Sequence, residues 1–322
     1  MEKLDLKDRK ILYQLDIDSR QSFRSIGRKV GLSKDIVADR IKKLQKNGII
    51  KYFITAIDSA KLGFTSFRFY LTFKHTTPEI KKEIIDHFVN NKYTWVVHSI
   101  KGKYDLCVII WIKEISDFYV FWEKTLRKYH NYIQDQVFSV YFQLLCYISS
   151  FLLDEYDENE RIKYEIIEGG KKVDIDNLDY QILKCLSINS RMQTIEIAEK
   201  LNTTAITIST RIKKLIKQNV IQGFKILIDI SKIAYICYKL DITLTNYKKK
   251  NQIVNYLKRN RYVGSLGKSA GYCDLELDLV IESEEQLHNI MEEIIVKFPN
   301  TIKNYDYFFQ SEVHKMQFIP QE

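Results

Sequence analysis

DLKDRKILYQLDIDSR at residues 5–20 returns as DNLDYQILKCLSINSR at residues 176–191, and this recurrence decides how the chain is read. The match runs without a gap from 5–50 onto 176–221 at a constant offset of 171, with 17 identities in 46 positions. RIKKL stands at 40–44 and again at 211–215. Further on, GKYDL (102–106) matches GYCDL (271–275) at an offset of 169, so only two residues were lost in between. The 322 residues are therefore two copies of one module of roughly 150 residues, a common domain size.

The first 50 residues of the module predict three short helices. Asp5 is an N-cap with Asp8 three residues on, and Ile11, Leu12 and Leu15 follow at helical spacing. A second helix over 23–30 turns Ile26 and Val30 inward. A third starts at the N-cap Ser33 and buries Val37, Ile41 and Leu44, spaced four and three apart. Gly31 and Gly48, at the two ends of that third helix, become Asn202 and Asn219 in the second copy. Gly and Asn are the residues that most readily take left-handed backbone angles, so both copies are expected to have φ > 0 at these turns. Gly27 becomes Ala198, small in both copies where helices cross. Such a trio is a helix-turn-helix, whose third helix can enter a DNA major groove.

The rest of the module switches to strand patterning. Aromatic and β-branched runs stand at 64–73, 93–100, 104–112 and 137–145, with amphipathic helices near 78–90 and 115–132. The order β-α-β-β-α-β is a ferredoxin-like split βαβ. In copy two the corresponding strands are read at 235–244, 271–281 and 305–318, with helices near 249–259 and 284–298. The expected fold is α+β: a winged-type helix-turn-helix plus a ferredoxin-like βαββαβ sandwich, each repeated twice. The domains are 1–50 and 173–222 (helix-turn-helix) and 51–153 and 223–322 (sandwich), with a linker at 154–172. The linker, DEYDENERIKYEIIEGGKK, is charged, contains Gly169-Gly170 and shows no core face, so it reads as a solvated connector. The apolar strands at 137–145 and 305–318 are expected to face each other in an intrachain pseudo-dimer. Their Phe- and Tyr-rich faces imply further self-association into a homo-oligomer.

Composition excludes several classes. Hydrophobic residues make up 45% and Pro only 3 residues, which excludes a disordered or linker-like chain. Five scattered cysteines, none in a CxxC pair, argue against a disulfide framework or zinc cluster and fit a reducing, cytoplasmic setting. No secretory signal is visible in the charged N-terminal residues. The uncharged run 137–153 is short for a membrane span and rich in strand formers, so it reads as a buried strand. GKS at 267–269 lacks the glycine spacing of a phosphate loop, and His75, His87, His98, His130, His288 and His314 form no HExxH pair. There is no G-x-S-x-G. The pattern implies no metal, no cofactor and no catalytic set.

The net charge of +9 is unevenly placed. Residues 1–50 hold 13 Lys+Arg against 7 Asp+Glu, a balance of +6, and 173–222 hold 7 against 5, a balance of +2. Residues 51–172 carry +1 and 223–322 carry zero. Phosphate neutralisation supplies most nonspecific DNA affinity, so the excess stands where a double-stranded DNA partner needs it.

Several motifs together resemble the Lrp/AsnC (feast/famine) transcription regulators. They are D-x-x-D-x-x-I-L-x-x-L at 5–15, S-R at 19–20, G-L-S at 31–33, R-I-x-x-L at 40–44, N-G-I-I at 47–50, and G-x-x-D at 102–105 and 271–274. Two departures stand out: family members usually carry one module, and copy two has Asn202-Thr203-Thr204 in place of G-L-S. The resemblance implies a regulator that binds DNA and answers to a small effector such as an amino acid. The candidate DNA contacts are Arg24, Arg28, Ser33, Lys34, Arg40, Lys42 and Lys43 in the first head. In the second they are Thr204, Thr207, Arg211, Lys213 and Lys214, on a more neutral face. Arg40 is open to three readings, a base reader, a phosphate clamp or an internal ion pair with Asp8, Asp16 or Asp39, and spacing favours the clamp over the base reader. Gly102, Tyr104, Asp105, Gly271 and Asp274 are the effector residues the resemblance implies. Siroheme decarboxylases share this architecture and form the enzyme alternative. Their Y-N-L-W-like strand corresponds here to YDLCVII at 104–110, after a stretch with one His and no Arg. A third reading is a small-molecule sensor of the same fold that does not bind DNA.

Overall fold

The computed structural model describes residues 4–156, 161 and 163–321. The first head is α1 (Leu6–Ile17), α2 (Phe23–Val30) and α3 (Lys34–Lys46). The second is α6 (Asn177–Ile188), α7 (Thr194–Lys200) and α8 (Ala205–Lys217). Side-chain caps start the helices at Asp5 and Ser33, where the sequence placed them, and at their counterparts Asp176 and Thr204. Asp5 accepts from the Asp8 amide, Ser33 from Ile36, Asp176 from Asp179 and Thr204 from Thr207. Gly31, Gly48, Asn202 and Asn219 all have positive φ, between 50° and 73°. At Gly27 a Cβ would stand 2.5 Å from the Leu32 carbonyl oxygen, which explains the small residue.

After each head comes one strand, β1 (Ile50–Ile57) and β7 (Ile221–Ile228), and the two pair antiparallel as a separate ribbon. The heads pack across it. Ile226 and Ile228 of the second copy enter the core of the first head, and Ile57 of the first copy packs on the core of the second. Neither head has a complete core without its partner's strand.

The sandwich strands are β2 (Thr65–Phe73), β3 (Thr94–Lys101), β4 (Leu106–Ile112) and β5 (Ile133–Tyr147) in copy one. Copy two supplies β8 (Ile236–Leu244), β9 (Val263–Gly271), β10 (Leu275–Ile281) and β11 (Ile302–Met316). Helices α4 (Pro78–Val89), α5 (Ile115–Tyr129), α9 (Lys250–Leu257) and α10 (Glu284–Lys297) supply the other side of each copy's apolar core. Each long last strand crosses to the other copy, β5 pairing with β9 and β11 with β3. Because β5 also pairs with β2, and β11 with β8, the eight strands close on themselves. The intrachain pseudo-dimer forms, and β5 and β11, the strands expected to face each other in it, are not hydrogen-bonded neighbours. Each instead covers the exposed edge of the other copy, which is what an unprotected edge requires.

Two further expectations change. The segment 154–172 is not a solvated connector: β6 (Lys163–Ile167) adds to the outer half of β5, and Tyr164 is buried. Arg161 donates to the carbonyls of Lys258, Asn260 and Val263. Residues 157–160 and 162 of that segment lie outside the described residues. The GKS triplet lies inside β9, a strand the sequence concealed under glycine and serine. At Gly267 a Cβ would stand 2.8 Å from the Tyr141 ring, and at Gly271 it would stand 2.3 Å from the Phe138 carbonyl oxygen. These glycines are there because β5 lies so close.

The interior of the closed ring is charged. Arg68 bonds Glu276 at 2.5 Å and Asp241 at 3.3 Å, all three nearly inaccessible. Lys239 pairs with Asp278 at 3.1 Å. Burial pushes the Asp241 carboxyl up to about 6 against the pull of Arg68, and holds the neighbouring His98 imidazole down to about 4. Among the described residues, no helix is long and apolar enough to cross a membrane.

Candidate nucleic-acid interface

On α3 the residues Val37, Ile41 and Leu44 are buried, while Ser33, Lys34, Asp35, Lys42 and Lys43 face outward. Arg24 and Arg28 on α2 are also exposed. Arg40 is turned to other work. Its Nη1 donates to Asp5 at 2.7 Å and Asp8 at 2.8 Å, joining the start of α1 to the middle of α3. These bonds lower the Asp5 carboxyl pKa and raise that of Arg40. Arg211 repeats the arrangement with Asp176 at 2.5 Å and Asp179 at 3.2 Å, and Lys214 reaches Asp179 at 3.4 Å. Asp8 was one of the three acids proposed from sequence as internal partners of Arg40; Asp5 was not.

The second reading helix has a milder surface. Thr204 is exposed, but its hydroxyl caps α8 and lies 2.9 Å from that of Thr207. Lys213 is exposed, and Ile206 projects at 80% exposure beside them. Such a face suits methyl and hydroxyl contacts in a groove better than phosphate clamping.

The S-R motif, whose purpose sequence reasoning did not find, joins the two heads. The hydroxyls of Ser19 and Ser190 meet at 2.6 Å, both fully buried. The Ser19 amide donates to the Phe224 carbonyl and the Ser190 amide to that of Phe53. Arg20 donates to the Ser190 carbonyl, and Arg191 returns the contact to Ser19. The duplicated Ser-Arg at an offset of 171 was the signal, since a motif meeting its own copy across a pseudo-twofold needs the same residues twice. The two reading helices are thereby held in one fixed relation.

At the G-x-x-D turns the aspartates hold strands together. Asp105 accepts from the Phe73 amide at 2.8 Å and from Lys81 at 3.2 Å, and Asp274 accepts from the Leu244 amide at 2.8 Å. Tyr104 is buried, stacked on Tyr70 at 4.8 Å. Gly102 and Gly271 have φ of 137° and 124°, at the points where the last strands cross between copies.

Paired helix-turn-helix heads, locked together above a closed ring of strands, define a DNA-binding protein with a built-in partner. An AsnC-type helix-turn-helix domain model matches residues 4–45, and a winged helix-turn-helix DNA-binding model matches 175–222. An HTH-type transcriptional regulator of Pyrococcus horikoshii is 30% identical over 146 residues, 98% of its length and 45% of this chain. The regulator LrpA of Bacillus subtilis is 30% identical over 136 residues, 93% of its length and 40% of this chain. The chain belongs to the Lrp/AsnC family of transcription regulators, in a tandem form about twice their size. Its fold is also that of the siroheme decarboxylase NirDL, with a TM-score of 0.64 at 14% identity over 98% of this chain and 94% of that one.

Proposed function

We propose that this regulator reads double-stranded DNA with α3 and α8 in the major groove, as one unit, and that the first head supplies most of the phosphate affinity. The observation that carries this reading is the pairing of the heads through Ser19 and Ser190, which leaves Lys34 and Lys42 outward on α3. Arg24 and Arg28 serve as backbone contacts, and Lys213 as their weaker counterpart in the second head. Arg40 and Arg211 hold their reading helices in position. The protein works in the cytoplasm as a homo-oligomer of these intrachain pairs, and a small effector changes its grip on DNA. We read it as a regulator rather than a catalyst; the naming of its 30%-identical relatives as regulators supports this, and the likeness to NirDL, at 14% identity, is one of fold.

The test is binding to the gene's own promoter DNA across a salt series. The expected result is a steep salt dependence whose slope falls by about 1 for each of Lys34→Ala and Lys42→Ala. Lys213→Ala is expected to weaken binding less than Lys34→Ala. Salt-insensitive binding, or none, overturns the reading. Tight binding of siroheme with a shifted absorption band would favour the enzyme alternative instead.

A further inference from the structure

A cavity of about 300 Å³ lies where the β1–β7 ribbon meets the ring of strands. One wall is Ile54 to Ile57 of β1 and Lys225 to Ile228 of β7; the other is Trp95, Trp111, Tyr147 and Val280 of the ring. Trp95 and Trp111 stack at 4.8 Å with their planes 11° apart, giving the site a flat aromatic floor.

Among its polar groups the indole N–H groups of Trp95 and Trp111 and the Lys225 ammonium can only donate, beside hydroxyls and two side-chain amides that can do both. Trp111 Nε1 and the Tyr147 hydroxyl are buried and have no hydrogen-bond partner among the described residues, an arrangement that folding penalises unless something fills it. Lys225 is the only Lys, Arg or His among the described lining residues, and none of those residues is acidic. Its ammonium faces Asp16 at a loose 3.5 Å, while Asp16 Oδ2 is taken by the amide and hydroxyl of Ser149. An ammonium and two unsatisfied donors on an apolar chamber fit an anion with an apolar body. Size narrows the class. A dry cavity of about 150 Å³ accepts one benzene ring, so twice that volume takes a ring or branched alkyl group with a short acid chain. A macrocycle of tetrapyrrole size needs far more room.

We infer that this cavity is a binding site for a small carboxylate with an aromatic or branched apolar body and no amino group beside the acid, such as a 2-oxo or aryl-alkanoic acid. The missing amino group follows from the lining, which has no carboxylate to receive an ammonium. This site is distinct from the G-x-x-D turns, whose aspartates hold the fold. Because its walls come from both ribbon and ring, an occupant braces the heads against the ring. That consequence for DNA rests on the regulator reading above; the binding itself does not.

Trp95 and Trp111 are two of the three tryptophans, so intrinsic fluorescence of the full chain reports occupancy without DNA. The expected result is saturable quenching by phenylpyruvate, one site per chain by calorimetry, with L-phenylalanine at least about tenfold weaker. Lys225→Met should weaken phenylpyruvate about tenfold or more, and Trp111→Phe severalfold, since it keeps the ring and removes the donor. Removing Lys225 leaves the buried Asp16 without its ion partner. Ala56→Phe, which fills the chamber from the ribbon, therefore serves as an independent block. Absence of saturable binding at millimolar phenylpyruvate, or binding indifferent to Ala56→Phe, overturns the site. Equal affinity for phenylalanine overturns the acid class. DNA affinity, measured without the acid, separates failure of this site from failure of the regulator reading.

Discussion

Arg40 and Arg211 stand at equivalent places in the two heads, and each faces the two aspartates that open its head's first helix. A guanidinium fixed between two carboxylates is a poor base reader, because reaching DNA means leaving both. Arg40→Ala is therefore expected to lower the stability of the first head by about 0.5–1 kcal/mol, as partly exposed ion pairs do. The salt slope of DNA binding should stay nearly unchanged. Thermal melts beside salt titrations check this, and a slope reduced as much as by Lys34→Ala would restore Arg40 as a phosphate contact. Asp241 offers a residue-scale test by pH. Its folded pKa of about 6 lies above the ordinary 3.8, so the buried charge costs stability above pH 6 and the cost fades as pH falls through 6 toward 4. Asp241→Asn removes that dependence. The melting temperature of the variant relative to the parent should rise between pH 5 and pH 8, and a flat difference across that range would refute the assignment.

At the scale of elements, legibility followed local signals. The head helices were readable because caps, turn residues and apolar spacing all act within a few positions, and Asp5, Ser33, Gly31 and Gly48 each did what their chemistry favours. The outward lysines of α3 follow from the same spacing. β9 was not readable, because VGSLGKSAG has little strand propensity, and its conformation is imposed by β10 on one side and β5 on the other. β6 was hidden by the charges around it. The partner of Arg40 was ambiguous, since three acids lay within plausible reach and only the packing of α1 against α3 selects among neighbours. If crowding by Tyr141 explains Gly267, then Gly267→Ala should cost about 1–3 kcal/mol in denaturant unfolding. Combining it with Tyr141→Leu should recover part of that loss, whereas strict additivity would show that the two positions do not interact.

For the whole molecule, duplication has gone beyond fusing two equal partners. Among the described residues, every acid in the ring interior salt bridges comes from copy two: Asp241, Glu276 and Asp278. By strand register, their counterparts in copy one are Tyr70, Cys107 and Ile109, while Arg68 corresponds to Lys239. Pairing copy one with another copy one would bury two arginines facing no acid. Pairing copy two with copy two would gather six acids around two lysines. Only the mixed pair matches each Arg68 with Asp241 and Glu276, so buried charge selects the chain's own second module. Removing one member should be severe. Arg68→Met leaves two buried carboxylates without their cation and is expected to cost about 3–5 kcal/mol. Replacing Arg68, Asp241 and Glu276 together by Met, Leu and Met should restore most of that stability, since well-packed apolar groups often equal a buried ion cluster. The restored protein loses the charge code, so its modules become free to pair between chains. Light scattering on the triple variant should then find concentration-dependent species larger than those of the parent, whereas an unchanged size distribution would show that chain connectivity alone enforces the pairing.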